Sequence, residues 1–190
     1  MKQSWILFIG LGLSSSIHAD TAPTTLPNQT QIPTVEASPK PTTPIINCEY
    51  HIPDTTTTID NNIVTQWAEH ALIQAFDFDP KTMDAQITKL KTCFTDQGWL
   101  GYIDALQKSG NDKAIKAQNF VVSSQVDGKI IFNHPKDNQW NITLPLEVVY
   151  QNPQEKLTQS LLVDLLIERK INGDLGIAQL VAKPKVAQKP

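Results

Sequence analysis

No stretch of this sequence is apolar for long enough to cross a bilayer; the run Trp5 to Leu13 is about half of the roughly 20 residues a spanning helix needs. Positive charge is not concentrated either. The 16 Lys and Arg are set against 19 Asp and Glu for a net charge of −3, and the only grouping of lysines is Lys183, Lys185 and Lys189 near the end. A polyanion binder needs clustered bases with accessible aromatics, so a nucleic-acid partner is not expected. The 8 glycines form no phosphate-cradling loop, and the four histidines stand apart from any nucleophile.

Cysteine is nearly absent too, and its two occurrences carry information. Met1 to Ala19 has one base, Lys2, then the apolar run, then small polar residues ending at Ala19, the layout of a secretory signal peptide. In an exported chain two cysteines read most simply as one disulfide, Cys48–Cys93. The competing arrangement is a metal site, because Cys48-Glu49-Tyr50-His51 has Cys-x-x-His spacing. A closed zinc site needs four ligands, however, and no second close-spaced pair exists.

What is present divides the chain. Residues 1–19 are expected as the signal, and 20–58 as a disordered Pro- and Thr-rich tether, too poor in large apolar side chains to offset its own ordering entropy. Residues 59–184 are expected as one α+β domain with an extended lead-in from 45, and 185–190 as a flexible tail. Asp60 is placed to cap a first helix whose apolar stripe is Val64, Trp67, Ala68, Ala71, Leu72, Ala75 and Phe76. Asp79, with Pro80 after it, is expected to cap a second helix carrying Met83, Ile87, Leu90 and Phe94. Thr95 or Asp96 is expected to cap a third, with Gly98 allowing a close neighbour and Gly110 ending it. A short helical turn around Lys113 to Gln118 follows.

The period then changes to alternation. Phe120, Val122, Ser124 and Val126 lead into Asp127-Gly128, read as the turn of a hairpin with Lys129 to Phe132, and His134 falls in the following loop. Next comes a long strand with Trp140, Ile142, Leu144, Leu146, Val148 and Tyr150 on one face and Asn141, Thr143, Glu147 and Gln151 on the other. Pro145 predicts an edge, a bulge or a bend within it. A strand near 157–169 puts Leu157, Leu161, Val163, Leu165 and Ile167 toward the core, and Leu175 to Ala182 supplies the last strand. The expected fold is therefore three N-terminal helices packed on a curved four- or five-stranded antiparallel sheet, the nuclear-transport-factor-like layout.

Two sets of residues are candidates for function. Leu162 and Leu166 lie on the polar face of their strand beside Asp164 and Glu168, a pattern that can mark a protein interface. Trp67, Trp99, Tyr102 and Trp140 could line a ligand pocket with His70 or Glu147 converging on it, although each aromatic falls on an apolar stripe and is read first as core. Glu69-His70 reads as a solvated helix face rather than a general base. Ser109-Gly110-Asn111 lacks the preceding strand of a nucleophile elbow, and Asp127-Gly128 is too isolated for calcium. No catalytic set, metal or cofactor is called for.

Several of these segments together resemble the DotI/IcmL/TraM family. They are Trp67-Ala68 with Ala71, Cys93-Phe94-Thr95-Asp96-Gln97-Gly98-Trp99, Ala105 to Asn111, Trp140 to Tyr150, Arg169, and Leu175-Gly176-Ile177-Ala178-Gln179, in order over about Cys48 to Pro184. The resemblance implies a periplasmic domain of a type IVB secretion or conjugation apparatus, an inner-membrane scaffold component without catalytic activity and with a nuclear-transport-factor-like fold. It also implies protein partners, either secretion-apparatus components or further copies of the chain. Core members carry a transmembrane helix before this domain, whereas this chain has a cleavable signal and a tether, so an exported, periplasmic or secreted paralogue is expected. The rival readings are a small-ligand-binding or hydrolytic domain of the same superfold, and an exported factor acting outside the cell.

Overall fold

The computed structural model describes residues 47–53, 55–136 and 138–185. The signal, most of the tether and the last five residues lie outside that range. Four helices come first: α1 (Asn61–Phe76), α2 (Met83–Leu90), α3 (Asp96–Ser109) and α4 (Asn111–Gln118). Five strands follow: β1 (Val121–Val126), β2 (Ile131–Lys136), β3 (Gln139–Gln151), β4 (Lys156–Arg169) and β5 (Leu175–Pro184). Every strand pairing is antiparallel, so the α+β class expected from the order of periodicities is the class observed.

Caps explain where α1 starts and where α3 starts and ends. The Asp60 carboxylate accepts the Asn62 N–H at 2.8 Å, and the Thr95 hydroxyl accepts the Gly98 N–H at 3.1 Å, each satisfying a donor the first helical turn leaves orphaned. Gly110, at φ 71°, ends α3 in the left-handed conformation. The second helix departs from expectation. Asp79 does not cap it: its carboxylate accepts the Lys81 N–H, and a turn closed by Thr82 N–H to the Asp79 carbonyl carries Pro80, so α2 starts only at Met83 with Thr82 at the cap position. The helix also stops before Phe94. After a 3₁₀ turn over Lys91–Cys93, Phe94 is extended (φ −116°, ψ 157°) because it bridges in parallel to Ile177 of β5.

The sheet order is β1-β3-β4-β5, with β2 also on β3. Asp127-Gly128 is therefore not a hairpin turn. β1 pairs with Leu146 to Gln151 and β2 with Gln139 to Thr143, both along the same edge of β3. The interruption between them falls at Pro145. Residues in an antiparallel ladder present N–H and C=O to the same neighbour, and the Pro145 carbonyl accepts the Asp127 N–H at 2.9 Å on this side. The side where Pro145 lacks a donor is thus the side where the ladder breaks. Gly128, at φ 136°, crosses the break, and a Cβ there would lie 3.0 Å from the Pro145 ring. The actual hairpin joins β2 to β3 through Asn138, at φ 56°, so residues 131–136 form a strand where a loop containing His134 was expected.

The alternating positions of β3 and β4 behave as read. Trp140, Ile142, Leu144, Leu146 and Val148 are buried on one face with Leu161, Val163, Leu165 and Ile167, together with the α1 stripe. Burying each such side chain contributes roughly 1.5–3 kcal/mol. Leu157 is the exception: it has the right parity but stays 44% exposed near the end of the strand. In β5 the partner register shifts between Leu166 and Ile167, skipping Ala178, so Ile177 and Leu180 both turn to the core.

The extended lead-in is docked at the β4–β5 turn. The Ile52 N–H donates to the Gly173 carbonyl at 2.9 Å, the Leu175 N–H donates to the Tyr50 carbonyl at 3.1 Å, and the Trp67 indole N–H donates to the Cys48 carbonyl at 3.0 Å. Arg169 donates to the Ile52, Pro53 and Thr56 carbonyls at 2.7, 2.9 and 3.5 Å. Arg169→Ala is expected to cost about 2 kcal/mol, the worth of charge-assisted bonds to the lead-in carbonyls, of which that of Pro53 also accepts the Thr56 N–H at 2.8 Å. Urea unfolding measures that loss, and faster hydrogen exchange at the Ile52 amide would localise it.

Candidate interaction surface

Because side chains alternate across a strand, residues that pair opposite one another on the face away from the helices form rows. One row is Ile131, Thr143, Asp164 and Val181; the next is Asn133, Asn141, Leu166 and Gln179. All of these except Ile131 line a shallow depression of about 300 Å³. Its single carboxylate is fully engaged: the Thr143 hydroxyl donates to one oxygen of Asp164 at 2.7 Å and the Lys183 ammonium donates to the other at 3.1 Å. At one end the Gln139 amide donates to Glu168 at 2.7 Å, and toward the other Gln125 donates to Glu147 at 3.2 Å. The acids of this face are thus pinned by neutral or basic neighbours on adjacent strands, which leaves Leu166, Val181 and, one row further, Leu162 as apolar contact area.

Of the four residues singled out on β4, Asp164 and Leu166 lie in the depression, while Leu162, 36% exposed, sits beyond it and Glu168 lies one row to the other side. Sequence reasoning did not reach Asn133, Asn141, Thr143, Gln179 or Val181 as part of this site. The signal for two of them was the polar half of the β3 alternation, but which β5 and β2 residues face them depends on register.

The aromatic set is placed otherwise. Trp99 and Tyr102 come together, each packed on Phe94, with ring centroids 5.9 and 4.8 Å from it. The Tyr102 hydroxyl donates to the Ala75 carbonyl at 2.8 Å, and burial pushes its pKa well above the ordinary tyrosine value, so it stays neutral. Trp67 is spent on the lead-in, and Trp140 is buried in the core of the sheet. His70 is exposed on α1, and Glu147 lies on the opposite face of β3 from Trp140, so neither converges on these rings.

The Cys48–Cys93 disulfide is formed. Beside it Lys170 donates to the Thr92 carbonyl at 2.9 Å; burial lowers its pKa from the ordinary lysine value, with Asp174, Asp96 and Glu49 acting in the opposite direction. The His51 ring lies 3.5 Å from the Asp174 carboxylate. Among the described residues no group of three His, Cys, Asp or Glu could hold a metal, and no helix is long and apolar enough to cross a membrane.

A helical layer on one face of this antiparallel sheet is the fold of solved periplasmic domains of type IV secretion components. The periplasmic domain of DotI is similar over 67% of this chain and 98% of its own, with 29% identity and a TM-score of 0.63. An IcmL-like type IV secretion system protein from Legionella pneumophila subsp. pneumophila str. Philadelphia 1 is 24% identical over 70% of this chain and 98% of its own, TM-score 0.65, and a periplasmic fragment of TraM is 22% identical over 67% and 100%, TM-score 0.59. The chain belongs to the DotI/IcmL family of the type-IV b secretion system, inner-membrane complex component, whose model matches residues 51–184. No curated protein matches it.

Proposed function

We propose that this chain is a non-enzymatic protein-interaction module of the type IVB secretion envelope, exported to the periplasm by a cleaved signal and working through the sheet face that carries Leu162, Asp164, Leu166 and Glu168. The observation that supports this reading is the mixed apolar and hydrogen-bonded surface of β3, β4 and β5, which the helices described here leave uncovered. Membership of the inner-membrane complex family supplies the kind of partner: another protein component of that apparatus. Leu162 and Leu166 are the contact residues, and the pinned acids Asp164 and Glu168 fix orientation more than they add affinity.

A photo-crosslinker at Gln179, used in cells that assemble the apparatus, is expected to capture an envelope component. Leu166→Lys, which changes an intermediate-exposure outer-face position, is expected to reduce that capture at least about tenfold while costing under roughly 1 kcal/mol of stability. Purification from detergent-solubilised envelopes with no secretion component retained would refute the reading. Fractionation into the medium rather than the periplasm would favour action outside the cell.

A further inference from the structure

β5 ends the sheet, with β4 on one side of it only. In an antiparallel ladder, residues that bond to a given neighbour alternate with residues whose N–H and C=O point the other way. The Lys185 N–H donates to the Ser160 carbonyl at 2.9 Å, one step past the Leu161–Pro184 pair, so Lys183, Val181 and Gln179 spend their backbone groups on β4. Leu180, Ala182 and Pro184 turn theirs outward. Before the register shift the outward groups are taken: the Leu175 N–H by the Tyr50 carbonyl at 3.1 Å, and the Ile177 carbonyl by the Thr95 N–H at 3.0 Å. Past it, no described residue takes the N–H of Leu180 or Ala182. Pro184 has no N–H to offer, so the open edge is short: Thr95 closes it upstream, and its downstream end can only accept.

We propose that this edge pairs with the same edge of a second copy, antiparallel about a two-fold axis at Ala182, so that two sheets become one. It concerns backbone groups at the rim of the sheet rather than the outer face, and it stands or falls separately from the reading above. The register follows from what flanks the edge. Because Ala178 is skipped, Ile177 is the next position after Gln179 and Thr95 occupies it, so an axis at Val181 would drive Pro184 of the second copy into Thr95. An axis at Lys183 would set the two Lys183 side chains directly opposite each other, which is unfavourable. With the axis at Ala182, the Ala182 N–H of each copy donates to the Ala182 carbonyl of the other, and each Leu180 N–H donates to the Pro184 carbonyl. Both open donors are then satisfied, and the residue without a donor is asked only to accept. The side-chain rows agree. On the helix side Leu165 and Leu180 continue into Pro184 and Leu161 of the second copy; on the outer side Asp164 and Val181 continue into its Lys183 and Leu162, which puts opposite charges in one row. An edge that matches itself in this way fits a second copy of the chain.

Two strand edges bury less than a standard interface of about 1,600 Å², so covalent trapping in the full chain, with Cys48–Cys93 intact, is the readout. Val181 of one copy and Lys183 of the other form a non-hydrogen-bonded pair with Cα atoms about 4.5 Å apart, within disulfide range. Two copies of either residue are offset by about 7 Å along the strand. Oxidising a mixture of Val181→Cys and Lys183→Cys chains is therefore expected to give at least about fivefold more mixed dimer than self-linked dimer of either chain. Equal yields would overturn the proposal. Adding Ala182→Pro to both chains removes an outward donor and no bond to β4, and is expected to cut the mixed yield at least about fivefold. An unchanged yield would equally overturn it. If Ala182→Pro does not fold, the comparison of mixed with self-linked dimers still decides. In cells, a photo-crosslinker at Lys183 is expected to join two copies; capture of a different protein alone would give the edge to another occupant and overturn the pairing.

Discussion

Cys48→Ala with Cys93→Ala is expected to destabilise the domain by about 4 kcal/mol and to lower its melting temperature by on the order of 10 °C. The size follows from the 45-residue separation, since a bridge removes loop-closure entropy from the unfolded chain in proportion to the logarithm of the loop it closes. Thermal and urea unfolding of the oxidised, reduced and substituted proteins measure it. Reduction of the wild type should match the substitution, apart from the small cost of the side-chain change. A difference near zero between oxidised and substituted proteins would mean that the lead-in and the α2–α3 joint hold together without covalent help, and that Arg169 and the Tyr50–Leu175 bond suffice.

Gly98→Ala is expected to lose about 3 kcal/mol, while Gly101→Ala, one turn on in the same helix, gains roughly 0.5–1 kcal/mol. Helix propensity alone predicts a gain at both positions, because alanine orders less expensively than glycine in a helix. The opposite signs come from the surroundings. A Cβ at Gly98 would sit 2.0 Å from the Ile177 carbonyl oxygen, whereas one at Gly101 meets nothing within 4 Å. Relief would require α3 to move away from β5 and give up the Thr95–Ile177 hydrogen bond, so the loss combines overpacking with an unpaired carbonyl. Urea unfolding of the two variants in parallel checks the pair, and equal stabilisation of both would show that α3 does not dock on β5 in this way.

These two sites were legible in the sequence to different degrees. The bridge needed only the count of cysteines and the expectation of export, because in an oxidising compartment two thiols have few alternatives. Gly98 was recognisable as a close-approach residue from its place just inside a capped helix, but its neighbour was not, since Ile177 lies far along the chain and on another element. The interface candidates on β4 were visible as leucines on a polar face. The rest of the depression was not, because Gln179 and Val181 stand beside Leu166 and Asp164 only through a register that includes the extra residue Ala178.

The misreadings have the same physical origin. Asp127-Gly128 carries a hairpin signal, and its local backbone preference is real, yet β1 and β2 do not pair with each other. Both find a better partner in β3, whose missing donor at Pro145 sets where the chain must step across. Asp79-Pro80 carries a helix-start signal, but the Gln86 side chain takes the Asp79 N–H at 2.9 Å and a turn intervenes. In each case a longer-range bond outcompeted a local preference worth about 1 kcal/mol.

By itself the sequence determined the periodicities: which side of α1, α3 and the long strands β3 and β4 is apolar, where α1 and α3 are capped, and that the order is helices first and antiparallel strands after. It did so because side-chain placement repeats every 3.6 residues in a helix and every 2 in a strand, a constraint each segment satisfies alone. Tertiary structure alone decided which strands share an edge, which residues gather on the outer sheet face, and that the lead-in, the α2–α3 joint and the β4–β5 turn meet at one hub. Those outcomes rest on hydrogen bonds and packing between residues far apart in the chain, and such pairings leave no local pattern to read.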